Sequence, residues 1–262
     1  MNKSEMYDRF QSLISELEEL LDNDIRSFWN SQGIDIQKKE EIEVISGLLS
    51  RQVTIAVHFI RSPNTWNHDI APLIIRCLAD NIINLSWITK DIENRSKMFI
   101  RHGLGQEKLI IEHRKNQLKT DGKNPDEDEM IMAQEKWLSV FRYPMLTDVN
   151  LGSWSGLSTR IMAEDAGILD FYNYVYLPFS ASVHNQWNHI AKYNLAQSPN
   201  PLPKGLLIPF RNDNLVDLTY LLLVSKYVDM AYEAVYNCDK FIKPPNRVCF
   251  HDWLSERLST FE

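Results

Sequence analysis

Glycine is scarce in this chain, with nine in 262 residues, and four of the eleven prolines crowd into 199–209. A turn-dense all-β protein needs both spread along its length, so the shortage points to helices. Cysteine is scarcer still: Cys77, Cys238 and Cys249 are odd in number and form no CxxC pair. That excludes a disulfide framework and suits reduced packing residues in a reducing compartment. Long apolar runs are missing too. The most apolar stretch, Leu215 to Val224, is interrupted by Asp217 and Thr219 and followed by Lys226 and Asp229, too short and too charged to span a bilayer. Residues Met1 to Phe10 are charged throughout with no apolar leader, so the expectation is a cytoplasmic chain without membrane contact.

Signature motifs are also absent. No GxxxxGK[ST], GxGxxG or GxSxG occurs, which leaves ATP hydrolysis, dinucleotide binding and hydrolase chemistry without support. The seven histidines, His58, His68, His102, His113, His184, His189 and His251, form neither HExxH nor the Glu-x-x-His repeat of di-iron bundles. The expectation is therefore no metal and no cofactor.

What is present is an apolar fraction of 44% with 24% charged residues and a formal charge of −7. This is enough to build a core, and too acidic for specific DNA binding. Between Arg95 and Lys119, however, seven Lys/Arg face only Glu107 and Glu112, a local balance of +5. Lys97, Arg101, Lys108, Lys115 and Lys119 are spaced by 4, 7, 7 and 4, which lines them along one face of a continuous helix. Such a stripe is either a solvated face or a docking surface for RNA or an acidic partner. Gly103 and Gly105 threaten the continuity it needs.

Apolar periodicity marks helices over 5–29, 38–60, 70–87, 91–118, 126–141, 155–166, 168–195 and 214–241, with a short one over 252–258. Asp121-Gly122-Lys123-Asn124-Pro125 is a turn, Gly167 fits a C-cap, and the Pro-rich segment 197–211 reads as a long exposed loop. The fold class is all-α, one domain over 1–262 built as a bundle of roughly eight to ten helices.

One constellation carries chemistry. Tyr172, Tyr176, Ser180 and His184 recur at i, i+4 and form a slowly drifting stripe of hydroxyls ending in an imidazole. Pro178 lies within it and either kinks the helix or starts a new one. Arg76 and Asp80, also i, i+4, sit in the most apolar helix, where charge is costly unless satisfied or facing a site. They are expected to face the Tyr176/Ser180/His184 stripe, as a structural tie or as a pocket that Trp187 helps to wall.

The run Trp154 to Glu164, then Gly167, then Tyr172-x3-Tyr176-x3-Ser180-x2-Val183-His184, resembles a bacterial all-helical family described only as a domain of unknown function. Its members carry an Arg-x3-Glu pair on an earlier apolar helix, to which Arg76-x3-Asp80 looks like the counterpart with Asp in place of Glu. The resemblance covers about residues 70–190. It implies an accessory role, in some members beside anti-phage genes, and no settled activity. A weaker resemblance is to the helical ribonucleases of toxin and defence systems, whose Arg-x4-His motif cuts RNA without metal. Here His184-Asn185-Gln186-Trp187-Asn188-His189 keeps the spacing with histidine in place of arginine.

Two functions of different class follow. One is an interaction or regulatory protein, an accessory component of a defence system with a protein partner or a second copy of itself, whose binding residues are Asp80, Tyr172, Tyr176, Ser180 and Trp187. The other is a metal-independent ribonuclease with His184 or His189 as acid/base and Arg76 or the Lys97, Arg101, Lys108, Lys115 stripe holding phosphate.

Overall fold

The computed structural model describes residues 3–33, 35–141, 152–200, 205–211 and 216–259. The expected break before Tyr143-Pro144, Pro201 and Pro203 within the Pro-rich segment, and the helix start at Asn214 lie outside them.

The N-terminal half is built of long amphipathic helices. α1 (Lys3–Ser31) buries Leu13, Leu17, Leu21 and Phe28, a stripe at helical spacing, against α2 (Lys39–Ile60). The chain then turns through Pro63–Thr65, where Trp66 is fully buried and donates its indole N–H to the Phe59 carbonyl at 2.8 Å. The Asn67 side chain accepts from the Asp69 and Ile70 amides, and α3 (Ala71–Ile88) follows with Pro72 in its first turn. α3 is the central helix, as its composition predicts. Ile75, Leu78, Ala79, Ile83, Leu85 and Ile88 are fully buried, each such Leu or Ile contributing about 1.5–3 kcal/mol of transfer free energy.

A single 3₁₀ turn (Thr89–Asp91) leads from α3 into α4 (Ile92–Thr120), which Gly103 and Gly105 do not break. The penalty of about 1 kcal/mol for each glycine is offset by packing around Leu104 and Ile111. α5 (Glu129–Ser139) folds back on the second half of α4, and Leu104, Ile111, Leu118, Ile131 and Leu138 form a small core separate from the main one. α3 and the start of α4 lie in one long helical run, Ala71–Thr120, which holds a window long and apolar enough by composition to cross a membrane; most of that window is buried inside the fold.

The second half is more broken than its periodicity suggests. α6 (Thr159–Asp165) starts on the Ser158 side chain and stops at Gly167, which adopts φ +78° so that the Ile168 and Gly167 amides reach the Ala163 and Glu164 carbonyls. The single helix expected over 168–195 is in fact four segments: α7 (Leu169–Phe171), a π-helical turn (Tyr172–Tyr176), α8 (Leu177–Val183) and α9 (Trp187–Tyr193). Pro178 has no N–H to give, and in the turn just before it the Leu177 amide reaches back five residues to the Tyr172 carbonyl. α8 ends because Asn185 takes a left-handed conformation, φ 50°, letting the Gln186 amide bond the Ala181 carbonyl.

The Pro-rich segment is not simply a loop: β1 (Leu195–Gln197) pairs antiparallel with β2 (Leu207–Pro209) at its base. α10 (Thr219–Tyr236) then runs along α3, and α11 (Phe250–Leu258) closes the bundle against α10 and α1. The three cysteines were expected to pack; Cys77 and Cys249 are instead exposed, and Cys238 is half-buried.

Candidate functional site

α3 and α8 face each other across the polar cluster. Arg76 donates from Nε to Ser180 Oγ at 2.7 Å and from Nη2 to the Tyr176 hydroxyl, and its guanidinium lies over the Tyr176 ring, 3.3 Å from the centroid. Nη1 is ion-paired with Asp80, one helical turn away, without the angle of a hydrogen bond. The Tyr176 hydroxyl passes the chain on by donating to Thr159 Oγ1 at 3.2 Å, and Ser180 donates to the Tyr176 carbonyl. Burial raises the Tyr176 pKa above the ordinary tyrosine value, so its hydroxyl keeps the proton it donates. Tyr172 stacks on Tyr176 at 4.9 Å, an arrangement the π turn makes possible. Arg76, Tyr176 and Ser180 are buried, whereas the Asp80 side chain is 46% exposed.

His184 is not part of this cluster. It caps α8, and the left-handed Asn185 that follows leaves its side chain exposed, so the stripe of four ends at Ser180. The same turn places His184 at the C-cap of α8 and His189 within α9. Trp187, at the start of α9, is 67% exposed and walls nothing at Arg76.

His189 enters a second cluster that the periodicity does not reveal. Its Nε2 lies 3.9 Å from Asp69, and its ring packs on Tyr193, which also stacks on His68 at 4.8 Å. His68 Nδ1 and the Tyr220 hydroxyl are 2.6 Å apart, and burial pushes the Tyr220 pKa up to about 12. Three segments distant in sequence thus meet where α9 turns into the hairpin. Only the adjacency of His68 and Asp69 could have hinted at it.

The basic stripe does lie on one continuous helix, and two of its five cations, Lys97 and Lys115, are ion-paired, as are their neighbours Arg95 and Arg114. Lys97 pairs with Glu93 at 2.9 Å, Lys115 bridges Glu112 and Glu135, and Arg114 holds Asp128. Arg95 is tied down by the Trp87 carbonyl and Asp165. Arg101 is exposed and Lys108 half-buried.

A third group, also missed, is the most buried ionic set among the described residues. Arg247 joins Asp24 at 3.1 Å to Asp229 at 2.9 Å, and Asp229 also accepts the Phe250 and His251 amides that begin α11. Burial raises the Asp24 pKa even with Arg247 beside it. Among the described residues no three His, Cys, Asp or Glu side chains converge as a metal site would need.

A family model for DUF5677, a family of unknown function, matches residues 42–201. The chain belongs to that family. The DUF5677 span begins in α2 and ends in the hairpin segment, so it contains Arg76, Tyr176, Ser180, His68 and His189 but not α1, α10 or α11. No match was found among curated proteins or among solved structures.

Proposed function

We propose that this DUF5677 chain is an interaction or regulatory module whose Arg76 cluster is a structural tie. The observation that carries this reading is the commitment of Arg76: each guanidinium nitrogen already faces Asp80, Tyr176 or Ser180, leaving no free fork for a phosphate. Tyr174 at 78% exposure, in the same π turn as Tyr176, and Trp187 at 67%, at the start of the next helix, offer exposed aromatic surface of the kind that anchors protein contacts. A photo-crosslinking residue at position 187 should capture a defined partner or a second copy, and Trp187→Asp should abolish its binding. Unchanged partner binding by that variant sinks this face as the contact. The resemblance to proteins found beside anti-phage genes extends the proposal to an accessory role in bacterial defence, for which phage plating efficiency with and without the chain is the test.

The ribonuclease reading keeps one supporting observation. His189 Nε2 lies 3.9 Å from Asp69, and an imidazole beside a carboxylate is the kind of group that acid/base cleavage of RNA uses. Incubation of the purified chain with labelled RNA decides it: cleavage abolished by His189→Ala supports the nuclease, and intact RNA removes it.

A further inference from the structure

Between α1 and the chain segment 244–248 runs a groove of about 420 Å³, the size of a small-ligand site. Its walls are tied together by side-chain bonds. Arg247 grips Asp24 across the groove, and just past Ser31, which lines it, Gln32 exchanges two hydrogen bonds with the Ile242 backbone, each 2.9 Å. Asn23, Ser27 and Asn30 line it from one face of α1, and Asn246 lines it from the opposite wall. The carboxamides of Asn23, Asn30 and Asn246 make no hydrogen bond to any described residue, so the fold does not use them.

Arg247 supplies the second observation. Its side chain is only 5% exposed, Nε is bound to Asp24 and Nη2 to Asp229, and Nη1 makes no hydrogen bond to a described residue. On a side chain otherwise buried and held, this nitrogen is the donor that the groove lining offers to an acceptor. Two carboxylates already hold this guanidinium, so the local charge is negative and an anion is disfavoured; the complement is a neutral oxygen. Among the described residues, no aromatic face lies open in the lining for a sugar or base to stack on. The ring nearest Arg247 in this groove, Phe250, is buried beneath the guanidinium. A side-chain carboxamide, by contrast, matches a backbone amide donor for acceptor. Asn23 and Asn30 stand two helical turns apart, about 10 Å, the length of roughly three extended residues.

We infer that this groove binds an extended, uncharged peptide segment of a partner protein, with Asn23, Asn30 and Asn246 pairing to its backbone amides and Arg247 Nη1 to one of its carbonyls. The inference rests on the interaction reading above and names where and what it binds.

The test is selection of a random-peptide display library on the full chain, followed by fluorescence anisotropy of the enriched peptides. Peptides without net charge should enrich. Their Kd should weaken about tenfold in the Asn30→Ala/Asn246→Ala double variant, as expected for losing two neutral hydrogen bonds, and N-methylation of their backbone amides should abolish binding. Both asparagines are exposed and unbonded, so the double variant should keep the wild-type circular dichroism spectrum and unfolding midpoint. Failure to enrich any peptide, equal affinity for the double variant, or indifference to N-methylation each overturns the assignment. Enriched peptides that ignore the asparagine variants but are lost with Trp187→Asp would overturn the groove while leaving the interaction reading standing.

Discussion

Arg76 joins two helices that are a hundred residues apart in sequence, and its value is structural. Replacing it with Met removes the bonds to Ser180 and Tyr176 and leaves a half-exposed Asp80 unpaired. The expected cost is about 2 kcal/mol, because a buried charged hydrogen bond is lost while Asp80 can still be hydrated. Tyr176→Phe, which keeps the ring stacked on Tyr172, should cost about 1 kcal/mol. Urea unfolding midpoints of the two variants check both values. The buried tyrosines set an alkaline limit. Burial pushes Tyr227 and Tyr220 up to about 12, while an unfolded tyrosine ionises near 10. Their contribution is complete below pH 10 and is lost as pH rises through about 12, since only the unfolded chain releases the proton early. Stability should therefore fall between those pH values together with phenolate absorbance, and Tyr227→Phe should flatten the fall. At this scale the meeting of Arg76 with Tyr176 and Ser180 was legible from i, i+4 spacing. The exclusion of His184 was not, because it depends on the backbone of the next residue.

Three helices, α4, α6 and α8, end where a nearby residue accepts a left-handed backbone. Gly122 and Gly167 do so with no Cβ penalty, and both were readable as turn residues. Asn185 does the same inside a strongly periodic segment, where apolar spacing masks a helix end. Two opposite outcomes follow. Gly167→Ala should destabilise by about 1–2 kcal/mol, since alanine resists a positive φ. Asn185→Gly should be neutral or stabilise by up to about 1 kcal/mol, since glycine is the better C-cap. Thermal melts of both variants measure the pair. A melt in which Asn185→Gly loses as much as Gly167→Ala would refute this account of how α8 ends. The hairpin at 195–209 was not legible either, because strands of three residues carry too little alternation to stand out among prolines.

The whole molecule is more than its DUF5677 span. α10 covers α3 with Leu221, Val224, Val228, Ala231 and Val235, all fully buried, and Gln52 of α2 donates to the Tyr227 carbonyl across that boundary. Residues 42–201 expressed alone should thus expose the apolar face of α3 and strand a buried amide donor. The fragment should show no cooperative thermal transition by circular dichroism, while the full chain does. A cooperative melt of the fragment would mean that α1, α10 and α11 are additions to a self-sufficient core.

The amino-acid sequence by itself determined the helical class, the central place of α3 and most helix boundaries in the first half, because apolar spacing and capping residues act over a few neighbours. It also set Tyr176 and Ser180 four residues apart on one stripe and Arg76 and Asp80 four apart on another. Only the tertiary structure decided that His189 lies beside Asp69 and away from His184, that Lys115 reaches Glu135 on the next helix, and that Arg247 keeps a donor facing a groove. Those outcomes depend on contacts between segments far apart in the chain, and no local pattern encodes the distance between them.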